Sequence, residues 1–467
     1  MIYIRTSAYN AEKTLERTIK SVLGQTYGNF KYYLMDHGSS DKTGEIVRKY
    51  AESDNRIIPF YNKVNREYDE NPDFWNLPKR IPQGDYFCIL DADDTYEPDF
   101  FEEMLHFMEE NDLEMAACGT AFVDGKTGSF LYERVLPQDV VIKTAESLEV
   151  MFPYIYWNFR QGWGKLYSAK AAGARFEICL PEWFPTYGGD TINVLESAKA
   201  VERIGVKRKV LHNYSISIKS YSYRWNPKRT GDDILLYEKG REFLMKTCGR
   251  ISERNQKYLY SVYFNAIMDT VDVLFGAQLE LGSKLRTLRD IMAEKVTQEM
   301  FRDDLSVFGE TQEKKNEFLQ SLFSWMEGQE TAYTPENISE LMAVYEEFNA
   351  DISKLVTDEE LLWYMYKIPQ LMSAVAVCDY DGAAKIMRRF LSDDVEETFP
   401  VTLAQTLAAI LNNTEEYVQY EKILIKNLIR CGSYEQAEKE LEEWEEILQD
   451  DKEFKNFRKE LERGTNA

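Results

Sequence analysis

Tyr86-Phe87-Cys88-Ile89-Leu90-Asp91-Ala92-Asp93-Asp94 is the stretch whose reading decides the fold. A continuous run of apolar residues predicts a strand buried on both faces, the texture of a central strand in a sheet covered by helices. Three carboxylates follow at once, at the strand's carboxyl end. Open α/β sheets bind ligands in the crevice outside those ends. Crowding anions there is costly unless a cation compensates them. Hard carboxylate oxygens suit Mg²⁺ or Mn²⁺, which bridges them to a diphosphate. The plainer alternative, an acidic turn in water, is weakened by the apolar strand before it.

Working outward, the first 125 residues alternate between strand and helix patterns. Ile2-Tyr3-Ile4-Arg5-Thr6 reads as a strand, and Leu15, Ile19, Val22 and Leu23 mark one face of a helix. Lys31-Tyr32-Tyr33-Leu34-Met35 is a second strand, followed by a turn and helix start at Asp36-His37-Gly38-Ser39-Ser40-Asp41. Arg56–Tyr61 is a third. Such alternation implies a mostly parallel sheet with helices on both sides. After the first strand, Ser7-Ala8-Tyr9-Asn10 places an aromatic ring at the ligand edge, where it can stack on a nucleobase.

Beyond about residue 231 prolines become rare and helix formers dominate. The turn-forming Asn226-Pro227-Lys228-Arg229-Thr230-Gly231 suits a linker. Two domains are therefore expected, an α/β domain over 1–228 and an all-α domain over 229–467. Cys431–Leu441 resembles the second half of a tetratricopeptide repeat, and Cys378–Ala384 is a weaker echo. Their spacing is too long for a regular array, so loosely paired helices are expected.

The net charge of −24 falls mostly in this second half and argues against nucleic acid and anionic lipid as partners. The simplest use of that charge is solubility. No basic n-region leads an apolar core at the start, and no run of 18 apolar residues occurs, so neither a signal peptide nor a membrane span is expected. The six cysteines form no C-x-x-C pair, which speaks against a disulfide framework or a cysteine zinc site and suits a reducing cytoplasm.

Tyr9-Asn10-Ala11-Glu12, Ser21–Tyr27, Met35–Thr43, Gly84-Asp85-Tyr86, Leu90–Asp94 and Glu97-Pro98 occur in this order. The set resembles family 2 glycosyltransferases of the GT-A fold over about residues 1–225. The resemblance implies a GT-A, Rossmann-like α/β domain that moves a sugar from a nucleoside diphosphate sugar, a UDP-sugar favoured. The acceptor would be a glycan, a lipid-linked glycan or a protein or peptide. Ser7, Tyr9, Asp36, His37, Asp91, Ala92 and Asp93 would bind the donor. Mn²⁺ or Mg²⁺ would sit on Asp93 and Asp91, with His212 a further candidate ligand.

Trp163-Gly164-Lys165-Leu166-Tyr167 resembles the segment preceding the acceptor site. Gly188-Gly189-Asp190-Thr191 resembles the family's Glu-Asp pair with glycine replacing the glutamate, which implies an inverting enzyme with Asp190 as general base. His37 stands where the family has a second acid that accepts from uracil N3–H; a neutral imidazole can also accept. Ser220–Arg224 resembles a terminal Ser-x-Ser segment, and Asn65–Trp75 departs from the family pattern and suggests no role. Two other readings compete. A nucleotidyltransferase would need a glycine-rich phosphate loop after the first strand, which is missing. A catalytically dead scaffold, its helical domain binding a protein partner, is opposed by Asp91, Asp93 and Asp190. The helical domain is expected to select the acceptor or to mediate self-association.

Overall fold

The structure, a computed structural model, describes residues 1–65, 71–175, 187–216, 224–327, 329, 337–355, 371, 374–375, 377–390 and 398–465. Residues 66–70, within the stretch that departs from the family, and 220–223, in the Ser-x-Ser segment, lie outside the described residues. The chain forms two compact units. One is Met1–Ala277 with Asp303–Thr311, the other Gln278–Arg302 with Gln312–Ala467.

The first unit is built on one curled sheet. Its early elements are β1 (Ile2–Ala8), α1 (Leu15–Leu23), β2 (Phe30–His37), α2 (Thr43–Ser53), β3 (Ile57–Asn62), α3 (Pro72–Trp75), β4 (Tyr86–Ile89), β5 (Thr95–Tyr96) and α4 (Phe100–Glu110). There follow β6 (Met115–Asp124), β7 (Phe130–Arg134), β8 (Val140–Ile142), α5 (Ala145–Phe159), β9 (Lys165–Ser168), α6 (Ala169–Gly173), α7 (Gly189–Lys199) and β10 (Ile204–Ile216). The strand order is β3-β2-β1-β4-β9-β6-β10-β5, with β7 paired to β6 and β8 to β10. Strands β3, β2, β1 and β4 run parallel, as the alternating pattern expects, and so do β6 and β10. Strand β9 runs antiparallel to both neighbours, so the sheet as a whole is mixed.

Strand β4 lies between β1 and β9, which explains its unbroken apolar run: Phe87, Cys88 and Leu90 are fully buried. Helix α1 forms because Leu15, Ile19 and Val22 fall on one face, and all three are buried in the core under β1 and β4. Gln25 joins this helix to the chain after the acidic turn. Its Nε2 donates to Glu97 O (2.7 Å) and its Oε1 accepts from Phe101 N (3.0 Å).

The compact sheet unit runs past residue 228. Helices α8 (Arg229–Cys248) and α9 (Glu253–Gly276) belong to it, packed on α5 and α7. The change of composition near 230 therefore marks where strands end, while apolar faces such as Leu236, Phe243, Phe264 and Ile267 still seek the core of the first unit.

The second unit is helical throughout its described residues. Helices 414–430, 434–443 and 452–465 share a core of Ile425, Ala437, Leu441, Phe454, Phe457 and Leu461. The two repeat-like echoes, at 378 and 431, are both tight turns between helices, and a third lies between them. Cys378, Asn412 and Gly432 each adopt positive φ. In each case the next amide closes a bond to a carbonyl five residues back, Asp379 to Ala374, Asn413 to Ala408 and Ser433 to Leu428. This is the Schellman form of a helix end. Asn412 can take the left-handed conformation as glycine does.

Candidate active site

The acidic turn is suspended from helix α1. Thr14, the N-cap residue, and Arg17 and Thr18 stand at i, i+3 and i+4, one face of the helix. Thr14 Oγ1 donates to Ala92 O (3.0 Å), and Thr18 Oγ1 is shared between Ala92 O (3.1 Å) and Asp94 O (2.8 Å). Arg17 donates to Asp93 O (2.7 Å) and to Ser215 Oγ (2.7 Å), and Ser215 Oγ donates to Asp93 O (2.6 Å). Each carbonyl from 92 to 94 is thus tied down, which leaves the carboxylates of Asp91 and Asp93 as the free chemistry of the turn. Arg17 also supplies the positive charge that partly offsets Asp93 and Asp94.

Asp91, Ala92 and Asp93 line an open cleft of about 670 Å³. Ser7, Tyr9, Arg17, Asp41, Lys126 and Ser215 are among its other walls. Tyr9 is half exposed, its ring available to a ligand. Asp91 is open to solvent in the cleft, yet the mass of protein at the cleft floor holds its pKa well above the ordinary carboxylate range. The neighbouring carboxylates of Asp94, Asp190 and Asp93 push it further the same way. Burial also raises Asp93, against the pull of Arg17.

Asp94 turns inward. It is fully buried, accepts from Ser215 N (2.8 Å) and brings Oδ2 to 3.2 Å from His212 Nε2. Burial raises Asp94 and lowers His212 to about 3, so it disfavours charge on both members of the pair. The His212 ring is fully buried, stacked on Trp163 at 4.7 Å. His212 therefore lies beneath the acidic turn and is not part of the cleft wall.

Asp36 and His37 end β2, beside the end of β1. Asp36 Oδ1 accepts from Ser39 N (3.1 Å), and Gly44 lets the start of α2 approach it: a Cβ there would lie 2.6 Å from Asp36 Oδ2. His37 is buried, with its ring 5.3 Å from that of Trp75 and Nδ1 3.4 Å from Ser7 Oγ. Asp36 and His37 do not line the cleft itself. The loops after β1 and β2 lace together: Asn10 N donates to Ser39 Oγ, Ala11 N to Thr43 Oγ1 and Glu12 N to Asp41 Oδ2.

Asp190 arrives from a distant part of the chain. It is exposed in the first turn of α7, whose N-cap Gly188 has φ 73°. Gly162 makes room for its carboxylate, since a Cβ at 162 would lie 3.2 Å from Asp190 Cγ. Its charge is felt at Asp91, at Tyr167 and at the buried Lys165. Lys165 donates to Asn158 O (2.5 Å) and Trp163 O (3.3 Å), and burial lowers its pKa to about 7. Among the described residues no group of three or more His, Cys, Asp or Glu side chains converges as a cage for an ion.

Residues 3–179 match the family Glycosyl transferase family 2. This part of the chain is a family 2 glycosyltransferase domain. An uncharacterized glycosyltransferase of Haemophilus influenzae is 36% identical over 124 residues, 27% of this chain and 48% of that protein. The chain likewise spans 46% of a second H. influenzae glycosyltransferase, so it covers about half the length of these relatives. The Escherichia coli protein WfaP, named as a UDP-Glc:alpha-D-GlcNAc-diphosphoundecaprenol beta-1,3-glucosyltransferase, is 24% identical over 226 residues, 44% of this chain and 88% of its own. Among solved structures, Staphylococcus aureus TarS overlays 82% of this chain and 54% of its own at 14% identity and TM-score 0.38. Asp190 and His212 lie beyond the family 2 match, whereas the acidic turn lies within it.

Thr14, Arg17, Thr18 and Ser215 are the site residues that sequence reasoning missed. For Thr14, Arg17 and Thr18 the signal was available: polar side chains beside the apolar stripe of α1, at the spacing that faces a neighbouring turn; Ser215, on β10, had none.

Proposed function

We propose that this chain is an inverting glycosyltransferase that takes a sugar from a nucleoside diphosphate sugar, a UDP-sugar, and places it on a hydroxyl of a glycan, a lipid-linked glycan or a protein. The observation that carries the reading is the acidic turn, whose Asp91 and Asp93 line the open cleft, with the charge of Asp190 reaching Asp91. Two carboxylates about a hundred positions apart in sequence are close enough for one to raise the other's pKa. The family 2 domain and the UDP-sugar named for WfaP support it.

In this reading the acceptor hydroxyl gives its proton to Asp190 as its oxygen attacks the anomeric carbon. The bond from that carbon to the diphosphate oxygen breaks, and the nucleoside diphosphate leaves. The donor set fits a divalent cation: the carboxylates of Asp91 and Asp93 are hard, face the cleft, and carry a repulsion that a cation would relieve. Mn²⁺ or Mg²⁺ held there would offset charge on the departing diphosphate. His212, beneath the turn, is left out of the proposed ligands. Arg17 holds the turn in shape, and Tyr9 offers a ring to the base. Asp36 orders the loop after β2, beside the base pocket. The helical unit is assigned to acceptor choice or self-association.

The test is hydrolysis of a panel of nucleotide sugars, with and without Mn²⁺. Turnover of a UDP-sugar that chelator abolishes, and that Asp93→Ala loses, supports the proposal. A panel in which nothing is turned over overturns it in favour of a scaffold, and an Asp93→Ala variant as active as the parent overturns the role given to the acidic turn.

A further inference from the structure

The turn that delivers Asp190 is gripped from α8 and α9, in a stretch that the family 2 match does not reach. Asp232 Oδ2 accepts from Tyr187 N at 3.2 Å. The Arg229 guanidinium lies 4.2 Å from the centre of the Tyr187 ring. Leu236 packs under Gly188 so closely that a Cβ at 188 would lie 2.5 Å from its Cδ1. The grip is itself anchored. Arg229 Nε donates to Thr270 Oγ1 (2.9 Å), and Thr270 Oγ1 donates to Asp233 Oδ2 (2.6 Å). Arg229, Asp232, Asp233 and Thr270 are each at most 5% exposed.

We propose that this buried cluster of Arg229, Asp232, Asp233 and Thr270 is a positioning device for Asp190, fixing Tyr187 and Gly188 and with them the first turn of α7. The inference rests on the reading of Asp190 as general base. A cluster of buried charges is a poor way to stabilise a helix pair, because an apolar set of the same volume does as well or better. Directional contacts are what such a set adds. Here they converge on the amide and the ring of one residue, three positions before Asp190 in the chain. Tyr187 is thereby fixed at its backbone and its side chain, and Gly188 on its Cα face, while Gly188 itself needs positive φ to start the helix. A base must meet its proton within hydrogen-bond reach, and a displacement of about 1 Å by a remote change can cost about a hundredfold in rate.

The experiment uses the whole chain and the nucleotide sugar turned over in the panel above. Asp232→Ala and Arg229→Ala should each lower kcat by roughly a hundredfold. Donor KM should stay within about twofold, because the donor site is elsewhere. Hydrogen exchange at the amides of 187–192 should quicken in both. Asp232→Asn keeps a carbonyl for the Tyr187 amide and should recover most of kcat and of the protection. Thr270→Val, which cuts the anchor without removing a charge, should fall between and serves where the alanine variants do not fold. The proposal is overturned by a folded Asp232→Ala with unchanged kcat or unchanged exchange, by a KM that rises in step with the loss, or by an Asp232→Asn no better than alanine. Failure of the base reading looks different: Asp190→Asn would then turn over normally, while the exchange results would still report on the grip.

Discussion

The two units arrange their charged side chains differently. In the first, carboxylates are gathered at the carboxyl edge of the sheet: Asp94, Asp190 and Asp93 push Asp91 up, Asp93 pushes Asp94 up, and Arg17 partly offsets Asp93 and Asp94. In the second, buried charges such as Lys315 and Glu421 lie far apart in the chain. Lys315 donates to the carbonyls of Met300 and Phe301, and Glu421 accepts from Gln405. Many of its other charges form exposed pairs, such as Arg286 with Glu340 and Arg388 with Glu416. Such pairs contribute little stability each. Acids gathered at an open cleft are candidates for ligand contact, whereas exposed pairs suit solubility.

The sharpest way to break this contrast is to remove one gathered charge without changing shape. Asp190→Asn should lower kcat by about 10²–10⁴-fold, the usual worth of a positioned base, with donor KM little altered. Steady-state kinetics of transfer check it. A variant within twofold of the parent would make the first unit's acids no different from those of the second.

Arg17→Ala comes next. It deletes two charge-assisted hydrogen bonds, to Asp93 O and Ser215 Oγ, and should cost about 1.5–3 kcal/mol of stability. Equilibrium denaturation reads that figure, and a fall in metal-dependent turnover should accompany it. An unchanged midpoint would mean that Thr14 and Thr18 hold the turn by themselves.

Gly188→Ala probes the junction of α7 and α8. The new methyl group meets Leu236 in a backbone conformation that alanine resists, which should cost about 1–3 kcal/mol. A thermal melt measures it, and an unchanged transition would show the junction to be soft.

The smallest effect is expected in the second unit. Burial, and then the nearby Glu440, raise Glu421 to about 7 from its ordinary 4.5. The folded state therefore keeps a proton there that the unfolded chain has lost. This contribution is fully present below about pH 4.5 and is lost as pH rises through 7. Glu421→Gln should flatten that part of the pH–stability curve and make the variant the more stable protein at pH 8. Melts from pH 4 to 8 decide it, and parallel curves for the two proteins would sink it.

The parallel part of the sheet, β1 to β4, was legible because its strands carry local signals, whereas β5 to β9 went unread. Buried parallel strands are rich in apolar residues, and β1 to β4 fell where the runs predicted. The acidic turn was legible for the same reason. The place of Asp94 was not, because three aspartates in four residues look alike until the twist of the strand sends one inward to His212 and two outward to the cleft. The extent of the first unit was hidden too, since α8 has the same composition as the helices of the second unit.

By itself, then, the sequence determined the strand–helix alternation, the acidic strand end, the helical second half and the family to which the first part belongs. These follow from periodicity and from short motifs, which neighbouring residues carry. Only the tertiary structure decided that α1 clasps the carbonyls of the acidic turn, that His212 lies beneath it, and that α8 and α9 hold the turn bearing Asp190. Those contacts join residues from 37 to 121 positions apart. A pairing across such a distance is chosen by the packing of whole faces, and no local pattern encodes it.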